Sequence, residues 1–581
     1  MKNYIFGNTV YSLRLSKHLS QKELGNMLGV SDKAVSRWEN GNSQPRSSLL
    51  PKVAEVLGVT LDKLLSGREN VSAADNHPAS GDFSAQKSAG KSAADLVKVN
   101  FIPACGDSNG NYLCTWAMQD DVANKLNIAG DDFPARQRNA LNDKTVFDES
   151  LYHPYSVDDR KSLVFLLDDG WDVPYNSLSS NPKIFGSIIP DEEKFASCGN
   201  TPQERLYEIS RRVKALGYAG LGLWISPNHV GGSEPFDMGQ AREYWEERAR
   251  WCQAAGVRYW KCDWGIHCRT PGYREMMTDC VRKFAPDIII EHAREFPPFF
   301  DVNSSENRSQ LNYMCKIFEY SDVLRTYDVQ EPFADSETFF RTNYLLKNAD
   351  FSLIRHNAKG LVNVESQPLV AVGLGFNIGI MRYNYVTQAA LRWQRICPPF
   401  SALQGEYITS NKTVTDTLRF DADPTWWTKC QWNTFSLTVP MAAARGTRLP
   451  KVKADGLKPI VLACSHPERD ALAVSTLRRN VDPNKRVIAP ADVTVYPKTL
   501  KTAVGAFGYY KSLTLEFPAD IPKGTAVWTQ CLLDDVAVNV TDSVDIFKNR
   551  VTLDGLLMRR LGHKSGDKST EHDPVLIIKL C

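Results

Sequence analysis

Apolar positions along this chain change their period twice. In SQKELGNMLGVSDKAVSRWENG, Ser20 to Gly41, they fall at helical spacing, with Leu24, Met27 and Leu28 on one face and Val35 and Trp38 facing inward on the next stretch. Ser20 and Glu23 form a Ser-x-x-Glu capping box, Gly29 supplies a permissive turn residue, and Ser31 can cap again. Two short helices joined by a tight turn are predicted. From 68 to 97, RENVSAADNHPASGDFSAQKSAGKSAADLV is rich in Ala, Ser, Gly and Asp and nearly devoid of large apolar side chains. That composition predicts a flexible linker with its ends roughly 30 Å apart.

After the linker, short apolar runs alternate with amphipathic helices. Thr201 caps, Pro202 starts and Glu204 completes the box of a helix whose Leu206, Ile209, Val213 and Leu216 face one way; Gly217 ends it, and the strand AGLGLWISP follows. Strand-helix alternation implies a parallel sheet. Eight strands are predicted near 112–116, 163–168, 220–225, 258–263, 287–291, 322–327, 361–364 and 400–403, which suggests a (β/α)8 TIM barrel over 98–410. From 411 to 581, runs such as ALAVSTL, SLTLEF and TAVWTQCLL between Pro, Gly and Asp suggest an antiparallel β-sandwich. The expected class is multidomain: an all-α helix-turn-helix unit over 1–67, a linker, a barrel and a sandwich.

Composition excludes little globally. The formal net charge of 581 residues is +2, so a charge-driven partner must be sought locally. Residues 1–67 do carry nine Lys or Arg against five Asp or Glu. Thirteen cysteines scattered among apolar neighbours read as reduced core residues, and no Cys-x-x-Cys or His-x-x-x-His cluster suggests zinc. No metal and no cofactor are expected. With neither a secretory leader nor a run of about 18 apolar residues, a cytoplasmic protein without membrane contact is expected.

The chemistry lies at the strand ends. In RYWKCDWG, Lys261 and Asp263 are two apart on a strand and share a face, while Cys262 points to the helices. Alone, such a pair reads equally as a structural ion pair. FLLDDGW ends another strand with Asp168 and Asp169, LRTYDV places Arg325 and Asp328 near a third mouth position, and Trp116, Trp171, Trp224 and Trp264 add flat apolar faces. Carboxylates, a cation and aromatic surface describe a sugar pocket better than a phosphate or metal pocket, and hydrolysis by two carboxylates is the natural chemistry.

The two ends of the chain resemble two known groups. Residues 6–67 resemble the lambda-repressor-like (Cro/CI type) helix-turn-helix domain. That resemblance implies a second helix in the major groove of duplex DNA, with Ser31, Lys33, Ser36 and Arg37 near bases or phosphates, and commonly a homodimer on two half-sites. From about residue 110 onward, LDDGW, YWKCDW, EYSDVLRTYDV and YVTQAALRWQRICPPFSAL resemble the clan of retaining α-glycosidases that contains glycoside hydrolase families 27 and 36. By that resemblance Asp263 is the nucleophile and Asp328 the acid/base, with Asp322 in YSDV as the alternative because Arg325 and Asp328 are three apart and not four. Asp168, Asp169 and Lys261 would hold sugar hydroxyls, with Trp116 lining the pocket. The fifth strand, IIIEHAREFPPFFD, offers Glu291 but matches neither family's segment at the sugar 2-substituent, which leaves galactose, N-acetylgalactosamine or another sugar open. Two functions follow as expectations: an α-galactosidase-like hydrolase carrying a DNA-binding domain, or a transcriptional regulator whose barrel serves as a sugar sensor.

Overall fold

The computed structural model describes residues 10, 13–14, 17, 19–39, 43–46, 48–60, 64, 99–106, 108–130, 133–173, 186–228, 237–270, 272–293, 305–326, 335–420, 433–482, 485–565 and 572–581. The segment read as a linker, 68–97, lies outside them. The chain divides into two compact units, 1–95 and 96–581.

In the first unit, α1 (Gln21–Leu28), α2 (Asp32–Glu39) and α3 (Leu50–Leu57) surround Leu24, Leu28, Val35, Trp38, Val53, Ala54 and Leu57. The Ser20 capping box forms: the Glu23 amide donates to Ser20 Oγ at 3.2 Å, and the Ser20 amide donates to Glu23 Oε2 at 2.7 Å. Gly29 ends α1 at φ +73°, a left-handed conformation that glycine adopts without a Cβ penalty. Ser31 Oγ then accepts the Ala34 amide at 3.2 Å and starts α2. Met27 is 49% exposed, so it does not join the predicted apolar face. The unit also holds a feature absent from the periodicity. Arg14 and Glu39 form a buried pair, with Nε to Oε1 at 2.6 Å and Nη2 to Oε2 at 3.0 Å, and Gln21 adds a third bond to Oε2 at 2.7 Å.

The second unit contains an eight-stranded parallel sheet: β1 (Tyr112–Cys114), β2 (Val164–Leu167), β3 (Gly220–Ile225), β4 (Tyr259–Cys262), β5 (Ile289–Ala293), β6 (Val323–Arg325), β7 (Leu361–Asn363) and β8 (Gly379–Ile380). From β1 to β7 each strand pairs with the next, β8 pairs with β1, and a parallel bridge from Asn363 to Asn377 brings β7 to the chain leading into β8. The barrel is therefore nearly closed. Its eighth strand corrects the prediction: the chain at 400–403 is a turn, and Gly379–Ile380 occupies the position. A two-residue strand gives no periodicity to read, and its glycine is needed, because a Cβ at Gly379 would lie 2.5 Å from the Tyr112 ring.

Strand parity sorts the side chains. Tyr112, Cys114, Val164, Leu166, Trp224, Tyr259 and Val323 form an inner cluster, while Leu113, Phe165, Leu167, Leu221, Leu223, Ile225, Trp260, Cys262 and Leu324 join the core beneath the helices.

The C-terminal region is β-rich, with an eight-stranded sheet and a five-stranded one. Val461, Leu472, Val474 and Val504 of the larger sheet meet Val493, Leu513, Leu515 and Val551 of the smaller in one core. The alternate residues Ile460, Leu462, Ala473 and Phe507 join the barrel's core instead. The sheets are mixed where a wholly antiparallel sandwich was expected: 442–445 with 460–465, 471–477 with 503–507, and 492–495 with 512–516 run parallel. The reason is topological. Between the members of each pair the chain visits the other sheet, at 451–453, 492–495 and 503–507 respectively, which is the crossover that parallel neighbours require.

Candidate active site

Parity carries specific charges to the C-terminal mouth of the barrel. The inward series of β2, Val164 and Leu166, continues to Asp168; that of β4, Tyr259 and Lys261, continues to Asp263; and that of β7, Leu361 and Asn363, continues to Glu365. Lys261 Nζ donates to Asp168 Oδ2 at 2.9 Å and to Glu365 Oε1 at 3.3 Å, with Cys114 Sγ at 3.6 Å. Arg325, the last residue of β6, holds three carboxylates: Asp263 Oδ1 at 3.0 Å from Nη2, Glu291 Oε1 at 3.1 Å from Nε, and Glu365 Oε2 at 3.2 Å from Nη1. Tyr112 donates to Glu365 Oε1 at 2.9 Å, while Tyr259 and Asn363 donate to Glu291 Oε2 at 2.9 and 2.7 Å.

Two cations thus serve four carboxylates within the mouth. Lys261 and Arg325 have side chains at most 2% exposed, whereas the Asp263 side chain keeps 13%. Asp263 is also gripped by the Trp224 indole, whose Nε1 donates to Oδ2 at 3.0 Å. Burial pushes the Asp263 carboxyl up, but the Arg325 guanidinium, the Lys261 ammonium and that indole bond outweigh it and hold the group below the ordinary carboxylate value. Glu365 is likewise held low against its burial by Lys261, Arg325 and Tyr112. Glu291 goes the other way, because burial there outweighs Arg325 and Asn363. A carboxylate at the mouth, held low by its cations and still partly open, is chemically suited to nucleophilic attack.

Of the residues singled out in the sequence, the structure brings together Asp168, Lys261, Asp263, Glu291 and Arg325. Trp116 and Trp224 belong to the inner aromatic cluster, with Trp264 edge-on to Trp224 at 6.3 Å between ring centroids. Asp169 does not join them. It has the opposite parity to Asp168, and its two oxygens take Arg138 Nε at 3.0 Å and Nη2 at 2.6 Å. Trp171 is fully buried in the helix-side core, where its indole donates to the Trp224 carbonyl at 3.0 Å; it presents no surface to the mouth. Asp328 lies outside the described residues. Asp322, the alternative acid/base, precedes β6 at the opposite end of the barrel from Arg325. It is fully buried, paired with Arg282, and accepts the Ile290 amide at 3.1 Å. A general acid at the mouth cannot be drawn from there.

Sequence reasoning missed Glu365, Tyr112, Tyr259 and Asn363. The one signal for Glu365 is the spacing in LVNVES, where Asn363 and Glu365 are two apart as Lys261 and Asp263 are. Among the described residues, no grouping of His, Cys, Asp and Glu is suited to hold a metal ion, and no helix is long and apolar enough to cross a membrane.

Ser31, just before α2, and Lys33 and Arg37 on it are exposed and Ser36 is half-buried, while Val35 and Trp38 take the inner face.

Comparisons with known proteins divide along the same units. The chain is 33% identical over 110 residues to the HTH-type transcriptional activator BcrR of Enterococcus faecalis, covering 19% of this chain and 53% of that protein. It is 33% identical over 63 residues to an SPbeta prophage-derived HTH-type transcriptional regulator, YonR, of Bacillus subtilis, covering 11% of this chain and 58% of that one. The chain thus spans little more than half the length of these curated relatives. Among solved structures, the P22 c2 repressor in complex with a synthetic operator matches 11% of this chain and 97% of its own at 31% identity, with a TM-score of 0.11. A family 27 β-L-arabinopyranosidase from Geobacillus stearothermophilus matches 71% of this chain and 87% of its own at 9% identity, with a TM-score of 0.33. Residues 10–64 match the helix-turn-helix family, and this N-terminal segment is a helix-turn-helix domain.

Proposed function

We propose that the barrel is a retaining α-glycosidase acting on terminal α-linked galactose or a related sugar, and that the N-terminal domain of the same chain binds duplex DNA in a sequence-specific way. The observation that carries the reading is Asp263: a carboxylate at the end of β4, held ionised by Arg325 and Trp224 and still 13% exposed at the barrel mouth. In the proposed reaction the Asp263 carboxylate attacks the anomeric carbon as the glycosidic bond breaks, and Asp328 gives its proton to the departing oxygen. Water then hydrolyses the glycosyl ester, returning a proton to Asp328. Asp168 and Lys261 hold sugar hydroxyls, Trp116 lines the pocket, and Trp224 acts from beneath through its indole bond to Asp263.

Turnover of an aryl α-galactoside by the full chain tests this reading. Asp263→Ala abolishes it, and an activated fluorosugar labels Asp263 covalently. Labelling of another carboxylate, or inversion at the anomeric carbon followed by NMR, refutes the mechanism.

A second reading is favoured by the curated relatives, both named as regulators: the barrel binds a sugar and the chain regulates transcription in response. Saturable sugar binding without turnover, together with sugar-dependent release of DNA, would select it. In either reading α2 lies in the major groove with Lys33 and Arg37 toward the DNA, on the exposed face opposite Trp38.

A further inference from the structure

We propose that Glu365 is a positioning residue that sets the reactivity of Asp263 by sharing the charge of Arg325 and Lys261 with it. The inference rests on the nucleophilic role given to Asp263 above, and Glu365 touches the reacting carboxylate only through the two cations.

The geometry is that of a divided clamp. One guanidinium edge faces Asp263 Oδ1 at 3.0 Å and the other faces Glu365 Oε2 at 3.2 Å, while the second oxygen of Glu365 takes Lys261 at 3.3 Å and Tyr112 at 2.9 Å. Glu365 is 1% exposed, so water does not share this work. A nucleophile must give its electron pair to carbon, and a cation that binds it undividedly lowers its basicity and its attack rate together. With Glu365 charged, Arg325 and Lys261 divide their attraction. Asp263 stays ionised and retains basicity. A neutral group of the same shape at 365 leaves Arg325 with one fewer carboxylate, tightens its hold on Asp263, and makes Asp263 a weaker base.

Of the other charged groups, Lys261 on β4 and Arg325 on β6 act directly on Asp263, Glu291 on β5 shares Arg325 with it, and Asp168 after β2 shares Lys261 with Glu365; Tyr259 and Tyr112 bond Glu291 and Glu365, Cys114 bonds Asp168, and Arg274 donates to the Asp263 carbonyl at 2.6 Å. None of these residues is substituted in the test.

The readout is the titration of Asp263 itself, which the Trp224 indole bond makes visible. Tryptophan fluorescence of the full chain is followed against pH, and the curve of the Asp263→Asn variant is subtracted to isolate the part due to this carboxyl. In Glu365→Gln the midpoint falls by about one pH unit, the sign expected when a like charge is removed from a carboxylate's surroundings. Where the wild type turns over an aryl glycoside, kcat falls about tenfold with KM little changed, because basicity and attack rate fall together, and the acidic limb of the kcat/KM profile moves down with the fluorescence midpoint. Glu365→Asp, which keeps the charge but draws it back by one methylene, shifts the midpoint in the same direction by less and restores most of the rate. If Glu365→Gln does not fold, the Glu365→Asp shift carries the test alone. An unchanged or rising midpoint in a folded variant overturns the proposal. A falling midpoint in a chain that hydrolyses no glycoside supports the charge-sharing and refutes the hydrolase reading, so the two can fail separately.

Discussion

Replacing Lys261 by methionine removes the ammonium from the centre of the mouth while keeping most of its volume. Asp168 and Glu365 then face each other across a buried gap. Breaking a buried pair by removing one partner costs about 3–5 kcal/mol, because the remaining charge is left uncompensated. The low end, about 3 kcal/mol, applies here. Glu365 keeps Arg325 at 3.2 Å and Tyr112 at 2.9 Å, and Asp168 keeps the Cys114 thiol at 3.0 Å and the Asp169 amide at 2.9 Å. The cost depends on pH with a definite sign. Glu365 is held below its ordinary value of 4.5 in the folded wild type, so its ionised form contributes stability above that value and loses it as pH falls through the folded one. The variant lacks that contribution. Its deficit is therefore full at pH 7 and shrinks in acid, as Glu365 of the variant, no longer held by Lys261, takes up its proton before the wild-type group does. Urea unfolding followed by tryptophan fluorescence checks this, since every tryptophan but Trp38 lies beyond residue 100. Equal deficits at pH 7 and pH 4, or a deficit under about 1 kcal/mol at pH 7, would refute the reasoning from a buried pair.

Other outcomes follow from the same geometry. His153 is buried, its Nε2 bonded to the Val146 carbonyl at 2.7 Å and its Nδ1 to Tyr218 at 2.9 Å; burial pulls it down to about 4, so the unfolded chain takes up its proton first. Stability should drop between pH 6.5 and 4 by up to about 3 kcal/mol on this account, and His153→Gln should flatten that slope in urea unfolding. Glu39→Gln should weaken the pairing with Arg14 and speed amide hydrogen exchange in α1 and α2, leaving exchange in the barrel strands unchanged. Arg37→Ala should weaken duplex binding by the full chain and reduce the salt slope by about one, measured by fluorescence anisotropy at 50–200 mM salt. Asp322→Ala should lower the unfolding midpoint without any dependence of the residual rate on the leaving group, because its partners are Arg282 and the Ile290 amide at the far end of the barrel.

Local chemistry made much of this protein legible. The Ser20 box, Gly29 and the spacing of Leu24, Leu28, Val35 and Trp38 determine α1 and α2 through neighbours at most a few turns away, so a sequence window contains the whole cause. Seven barrel strands were readable for the same reason: runs of apolar residues bounded by Gly, Asp or a capped helix. The alternation along β4 alone placed Lys261 and Asp263 on one side of the sheet. Tertiary structure decided what local windows cannot contain. The eighth strand is two residues long and exists because β1 pairs with it and the Asn363–Asn377 bridge holds the chain that leads into it. Asp168 and Asp169 are adjacent in sequence and equal in chemistry, yet parity at the end of β2 sends one to Lys261 and the other to Arg138. Trp171 has the composition of a pocket wall and is instead closed over by the helices. Glu365 stands 104 residues from Lys261 and 40 from Arg325, and only closure of the barrel makes it the group that both cations share.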